Sequence, residues 1–425
     1  MKQERKWSYN TAQQFTLEMG LFGYEKADSR FHWRELRRRI RQYNIFTRLL
    51  WLRFKRGDSF WIKRRNSLLM ITICIISIAL TIHDLSIVFY GPTNATSMGI
   101  LMIIWNFHSS FSMVCLFYWQ RYGSIERFLQ CFSESDLGVE AFRERSSSSY
   151  RRTMIRFCAF TGTILFMMIA QFFVHLLGHF FIYFAELHRE MINETERIFM
   201  QGWMLNVRMI VYSILFPLDL MVIHLYVTLS KALYYEMKSF NWLLRELTLK
   251  RDLKSELQDL ICKHSRLIAT IKQFNNVFAI YAFLMVGSTI PTFLFSIIQI
   301  GETRLHNLNE FLSALPSLLF CIYGFYAWTV VPALLYEEIN DSKSIFCMNV
   351  KVWESQDQEV RAEARTLAIH LDQPELGVSL WGFAILSKTS ILTTFSVLLT
   401  FWALLTEFHM KRIEERSIND TEAMK

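Results

Sequence analysis

Few residues in this chain have the type and spacing for chemistry. The nearest approach to a metal pair is the run HLLGH, where His175 and His179 stand one helical turn apart. Histidines at i and i+4 share a helix face and can share an ion. Metal and redox centres of that kind need several such clusters, and the other nine histidines are scattered. The sequence has no H-E-x-x-H, phosphate-binding loop, dinucleotide fingerprint or G-x-S-x-G. Its seven cysteines, odd in number and irregular in spacing, make neither a zinc pattern nor a disulfide framework. We expect no catalytic residue, no metal and no cofactor. Asp84 and Asp219 are more telling, because each carboxylate sits inside an apolar run. A charge there must pair within a helix bundle or serve binding or gating. Thr389, Thr393, Ser396 and Thr400 form a row of hydroxyls at spacings of 4, 3 and 4. Such a row either packs against another helix or faces water and ions as a pore wall.

The elements that carry these residues are membrane spans. Hydrophobic residues make up 52% of the 425 and charged residues 20%, and the charges lie in blocks between long apolar runs. A bilayer core takes about 20 apolar residues of helix, since only a helix or closed barrel satisfies its own backbone there. Seven stretches qualify: 67–90, 98–119, 157–184, 204–229, 277–300, 311–335 and 380–408. The fold class is an all-α membrane protein. Residues 1–66 are polar and basic, so the first span is expected to act as an uncleaved anchor. Lys and Arg number 36 in the segments on the N-terminal side of the membrane against 7 on the other. Cytoplasmic loops are the basic ones, which puts the N-terminus inside and the C-terminus outside. The N-x-S/T sequons at Asn94, Asn193 and Asn419 fall on the outer side, and that at Asn340 falls inside. All seven cysteines lie in spans or inside, so no extracellular disulfide is expected. The basic excess belongs to the N-terminal segment, where it meets lipid headgroups rather than nucleic acid.

Chain order then divides the molecule. A basic cytoplasmic segment (1–66) precedes four spans (67–229), a cytoplasmic helical hairpin (230–276), spans five and six (277–335), a cytoplasmic loop with an amphipathic helix (336–379), the last span (380–408) and an extracellular tail (409–425). Apolar residues in the hairpin recur as Leu233, Met237, Phe240, Leu244 and Leu247, then Leu253, Leu257, Leu260, Leu267, Ile271 and Phe274. Val360, Ala364, Leu367 and Leu371 repeat the period in the later loop. These stripes either fold onto one another within one chain or pack subunits together. The second reading is favoured, because three stripes exceed what one hairpin buries.

The end of the last span carries a likeness. Thr400–Phe408 reads TFWALLTEF, and Gly382 lies 18 positions before its Thr. The segment resembles the T-Y-(five hydrophobic)-Q-F signature that closes the last helix of gustatory receptors in the insect chemoreceptor superfamily. It departs in having Phe401 for Tyr, Glu407 for Gln, and Thr406 within the hydrophobic run. With seven spans, an inside N-terminus, a short tail and long inner helices, the resemblance covers nearly the whole chain. It implies a tetrameric ligand-gated cation channel, homomeric or built with related subunits. Its last helices would line the pore, and its inner helices would form a shared anchor. Thr389, Thr393, Ser396 and Thr400 become wall residues, and Glu407 and Phe408 lie near the outer gate. A ring of ionised Glu407 would attract cations, although burial opposes ionisation. Lys388 stands near the inner mouth, where it snorkels to the headgroups or faces the pore.

Outer halves of the spans hold aromatic residues with a few polar groups. They are Met102, Trp105 and His108; Phe172, His175, His179 and Phe180; Trp203, Arg208 and Tyr212; and Phe320 and Tyr323. The resemblance places a small organic ligand between these four helices, and such a lining suits one. Plain helix packing accounts for many of these rings. The same resemblance admits light in place of a chemical, since nematode relatives include light sensors thought to depend on tryptophans in the spans. Trp105, Trp328, Trp381 and Trp402 are the candidates here. A membrane enzyme or carrier is disfavoured by the missing catalytic motifs and by the lack of paired repeats.

Overall fold

A computed structural model describes residues 59–90, 96–135, 202–247, 253–302 and 318–423, with scattered positions of the third span between 152 and 166. Its described residues are helical apart from short connections and a single isolated β-bridge. Among the described residues nine helices can be named: α1 (Phe60–Tyr90), α2 (Thr96–Tyr122), α3 (Ser124–Ser135), α4 (Gly202–Glu246), α5 (Leu253–Glu302), α6 (Leu318–Cys347), α7 (Val350–Trp353), α8 (Gln358–Leu371) and α9 (Lys388–Ala423). Five of them, α1, α2, α4, α5 and α6, are long and apolar enough to cross a membrane. They coincide with the first, second, fourth, fifth and sixth spans expected from the sequence. All seven cysteines are free thiols.

The 45 residues of α4 and the 50 of α5 set the shape. At 1.5 Å per residue they run roughly 68 and 75 Å, more than twice a bilayer core of about 30 Å. Their polar ends must therefore project beyond the bilayer. There the apolar stripes meet. Leu233, Met237, Phe240, Leu244, Leu257, Leu260, Leu267, Ile271 and Phe274 are all buried, as are Val360, Ala364, Leu367 and Leu371 of α8. The expected helix periods fall on buried residues. They close on one another within a single chain, α8 packing on α5 and α6 on α4. Met348, Val350 and Ile369, at the end of α6 and on α7 and α8, stay exposed on the outside of this bundle. The extra cover came from α6 and α3, which the hairpin picture did not count.

Local chemistry starts and stops these pieces. Asp357 caps α8, its Oδ1 accepting from the Glu359 amide at 2.9 Å; a cap of this kind contributes about 1 kcal/mol. Across the α5–α8 seam Lys254 Nζ donates to Glu359 at 2.7 Å and Gln258 Nε2 to Glu363 at 2.8 Å. At the far end of the same seam His264 is buried beneath Phe240, and burial pushes its imidazole down to about 4. Within α6, Pro332 lacks the N–H that would bond the Trp328 carbonyl. Over Tyr326–Val330 the ladder is instead π-helical, and the Val331 amide donates to the Tyr326 carbonyl.

The last span begins later than expected. Residues 380–387 are not helix. Leu380 N donates to Ala384 O at 2.8 Å and Leu386 N to Val378 O at 2.9 Å, closing a small hairpin with a bridge between Ser379 and Ile385. Trp381 (φ 52°) and Gly382 (φ 83°) make its turn in the left-handed region, which no helix continues through. Apolar composition hid this break. The helix proper, α9, starts at Lys388 and runs to Ala423, so residues 409–423 of the expected tail continue it.

Candidate functional site

Five helices meet where the sequence places a ligand. α2 packs against α1, α4 and α5, and α4 packs against α6. Trp105 of α2 takes the centre. Its ring meets Phe216 edge-on at 5.6 Å and Phe320 at 6.2 Å, and Phe216 stacks on Tyr212 at 5.0 Å. Aromatic pairs at these separations are attractive in either geometry. Three expected residues, Trp105, Tyr212 and Phe320, are thus brought together. Phe216 was missed, though it stands one turn beyond Tyr212 on the same face of α4.

One turn below Trp105, His108 is buried against Trp328 (ring centroids 5.6 Å apart) and hydrogen-bonded through Nε2 to the Ser288 hydroxyl. Ser288 spends its own proton on the Leu284 carbonyl, 2.6 Å away, so towards His108 it accepts. His108 therefore carries its proton on Nε2, and its Nδ1 is a bare acceptor. Neither His108 Nδ1 nor Trp105 Nε1 has a hydrogen-bond partner among the described residues. A buried acceptor and a buried donor, one turn apart on α2, stand beside the aromatic cluster. Trp328 fits only because residue 324 is glycine: a Cβ there would lie 2.4 Å from the indole.

Other expected residues go elsewhere. Tyr323 is buried but serves the third span, its hydroxyl 2.8 Å from Thr161 and its ring 5.6 Å from Phe160. Met102 is half-buried on the Trp105 face of α2. Trp203 and Arg208 lie in α4 with side chains outside the description, and Phe172, His175, His179 and Phe180 fall outside the described residues altogether. So do Asn94 and Asn193, whereas Asn419 is a residue of α9. Deeper in the bundle Asp219 accepts a hydrogen bond from Ser112 at 2.5 Å, a pairing within the bundle. Asp84 is also buried, 3.7 Å from the His83 ring.

The second candidate region is α9. Thr389, Thr393, Ser396 and Thr400 are all exposed, on the side away from buried Leu398. Among the described residues the helix packs chiefly along α5 and α6, and Leu392, Phe395, Phe401, Trp402 and Leu404 are exposed too. Glu407 is exposed, and the side chain of Phe408 is outside the description. At its base α9 is held firmly. Asn275 of α5 donates to the Gly377 carbonyl (2.7 Å) and accepts from the Ser379 amide (3.1 Å). Lys388 ion-pairs with Glu337 of α6 at 2.9 Å.

No protein-family model and no curated protein sequence matches the chain. Solved structures do. The insect olfactory receptor OR5 of Machilis hrabei aligns over 88% of this chain and 99% of its own, with a TM-score of 0.68 at 14% identity. The same receptor in complex with eugenol aligns over 89% of this chain and its entire length, with a TM-score of 0.67 at 12% identity. At such identity the likeness concerns architecture alone, and it makes this chain an all-helical membrane protein with the fold of an insect olfactory receptor.

Proposed function

We propose that the chain is a chemoreceptor subunit of the gustatory-receptor type. It is a ligand-gated, non-selective cation channel of the plasma membrane, opened by a small organic chemical bound between helices in the outer half of the bilayer. One observation carries the reading: the bare acceptor His108 Nδ1 and the unfilled donor Trp105 Nε1, buried beside Trp105, Tyr212, Phe216 and Phe320. Buried polar atoms without partners cost about 1–3 kcal/mol each, a cost that a ligand hydroxyl would relieve by donating to one and accepting from the other. Rings around such a pair suit an aromatic or terpenoid body. The olfactory receptor of like fold is one that binds eugenol. Four copies would set four α9 helices around an axis, their hydroxyl rows inward, which gives the exposed row and the bare apolar flank their occupants.

The deciding experiment is a current recording from cells expressing only this chain, against a panel of sugars, amino acids and odorants. Ligand-evoked cation current is expected, with Trp105→Ala abolishing the response and leaving surface expression intact. A light-sensing reading has one observation in its favour, the complete burial of Trp328 at the π-helical turn against His108. Silence across the chemical panel, with responses to short-wavelength light that Trp328→Phe removes, would replace the first reading by the second.

A further inference from the structure

The cytoplasmic bundle contains a pair of histidines that the sequence pattern did not single out. His264 of α5 and His370 of α8 bring their Nδ1 atoms to 2.9 Å, with the rings edge-to-face at a centroid distance of 5.1 Å. The surroundings fix which nitrogen holds which proton. Ser265 Oγ donates to the Ile261 carbonyl at 2.9 Å, so it can only accept from His370 Nε2, 3.3 Å away. His370 in its neutral form therefore carries its proton on Nε2 and turns a lone pair on Nδ1 toward His264. The contact is then an N–H···N bond donated by His264 Nδ1.

We propose that this pair is a transition-metal site, in which an ion of the Zn²⁺ or Cu²⁺ class replaces the shared proton and ties α8 to α5. Three observations support it. The two nitrogens come from different helices and already lie close to chelating distance. Metal–nitrogen bonds of about 2.0–2.1 Å at a tetrahedral angle set them roughly 3.3 Å apart, an opening of about 0.4 Å that small ring rotations supply. His370 is oriented through its other nitrogen by Ser265, the outer-sphere hydrogen bond that metal-binding imidazoles characteristically make. His264 is buried and stacked on Phe240 at 5.2 Å, which holds its ring, while His370 is half-exposed and Ser265 exposed, which opens the pair to an arriving ion. Water completes the coordination shell.

Proton balance is simple. For the neutral pair no proton leaves: that of His264 moves from Nδ1 to Nε2, and both Nδ1 atoms bind the ion. The charged groups along the seam, Lys254 with Glu359 and Lys343 with Asp372, are engaged in their own ion pairs at 2.7 Å. Gln258 and Glu363 hydrogen-bond between them. The site sits at the end of α8 from which the chain enters the hairpin before α9. A bound ion thus stiffens the connection to the candidate pore helix.

The test uses the full chain in detergent, purified without a histidine tag, titrated with Zn²⁺ against a chromophoric chelator and with Cu²⁺ by electron paramagnetic resonance. One strong site per chain is expected, with a two-nitrogen hyperfine pattern and a Zn²⁺-dependent rise in Tm. His370→Ala is expected to remove that site, His370→Cys to restore Zn²⁺ binding, and Ser265→Ala to weaken it roughly tenfold. Should His370→Ala fold poorly, His370→Gln keeps a polar side chain without an imidazole and is read in the same way. Equal titrations of the wild type and a folded His370 variant, or binding without nitrogen coupling, overturn the proposal. None of these readouts depends on channel activity.

Discussion

The bundle beyond the membrane and the last helix are opposite solutions to covering apolar surface. In the bundle, Phe240, Leu257, Phe274, Phe346 and Leu367 are each below 2% exposed, although no membrane surrounds them. In α9, Phe395, Phe401 and Trp402 are each close to half exposed. Water would punish the second arrangement and lipid tolerates it, but the exposed hydroxyl row on the same helix suits lipid poorly. The bundle buries its apolar stripes within one chain. The last helix leaves rings and hydroxyls exposed side by side, and the proposed assembly is what would cover them.

If the bundle carries the stability of the subunit, its variants should show the largest effects. Phe240→Ala removes a fully buried ring of the α4 stripe that stacks on His264, and a loss of about 3–5 kcal/mol is expected. Leu367→Ala in α8 should cost about 2–5 kcal/mol. Denaturant or thermal unfolding in detergent checks both. Phe401→Ala on α9 should leave unfolding of a dispersed subunit within about 0.5 kcal/mol of wild type, yet change the migration of the assembled protein on native gels. Equal losses at Phe240 and Phe401 would erase the distinction between the two regions.

A step smaller is Gly324→Ala. Its Cβ would lie 2.4 Å from Trp328 with ring atoms on the line of contact, so the indole must leave its seat. Overpacking of this sort costs about 1–3 kcal/mol. Tryptophan fluorescence should shift, and the ligand response should fall before expression does, because Trp328 supports His108. An unchanged emission spectrum would mean that the Trp328 seat is looser than its packing suggests.

How much of this was legible beforehand follows from where period and composition carry information. Leu233 to Phe274 and Val360 to Leu371 repeat at 3 and 4, and every one of those residues named above is on the buried side. What covers a stripe has no period, so sharing between subunits was a natural reading and the closure by α6 and α3 was not visible. The hairpin at Val378–Leu386 was hidden for a different reason. Leu380, Trp381, Phe383 and Ile385 are as apolar as any span, and only Gly382 hinted that the chain turns there. In the proposed ligand region the expected aromatic residues differ in where they point. Which of them converge depended on helix rotation, so Trp105, Tyr212 and Phe320 meet, Tyr323 turns to Thr161, and Phe216 and Ser288 enter unannounced.

Asn275→Ala tests the base of α9. It removes both hydrogen bonds to the hairpin, to the Gly377 carbonyl and from the Ser379 amide, at an expected cost of about 1–3 kcal/mol spread over a local region. Hydrogen exchange should speed up in residues 377–386 and stay unchanged in α8. In recordings the current should activate with altered kinetics while ligand affinity is kept. Faster exchange throughout α5 would instead assign Asn275 to the bundle.

The smallest effect is expected at Lys388 and Glu337, whose side chains are 68% and 34% exposed. Exposed pairs contribute about 0–1 kcal/mol, because water and salt screen them and ordering two long side chains offsets the attraction. A double-mutant cycle of Lys388→Met and Glu337→Gln should therefore give a coupling below about 1 kcal/mol in unfolding. The same cycle read in open probability reports a different quantity. The pair joins α9 to α6, the helix that also carries Phe320 and Trp328, so any motion of α6 on ligand binding must stretch or keep this contact. A coupling that is small for folding but larger for gating would make the ion pair a link between the ligand region and the last helix. Equal small couplings in both would leave Asn275 and the hairpin as the route.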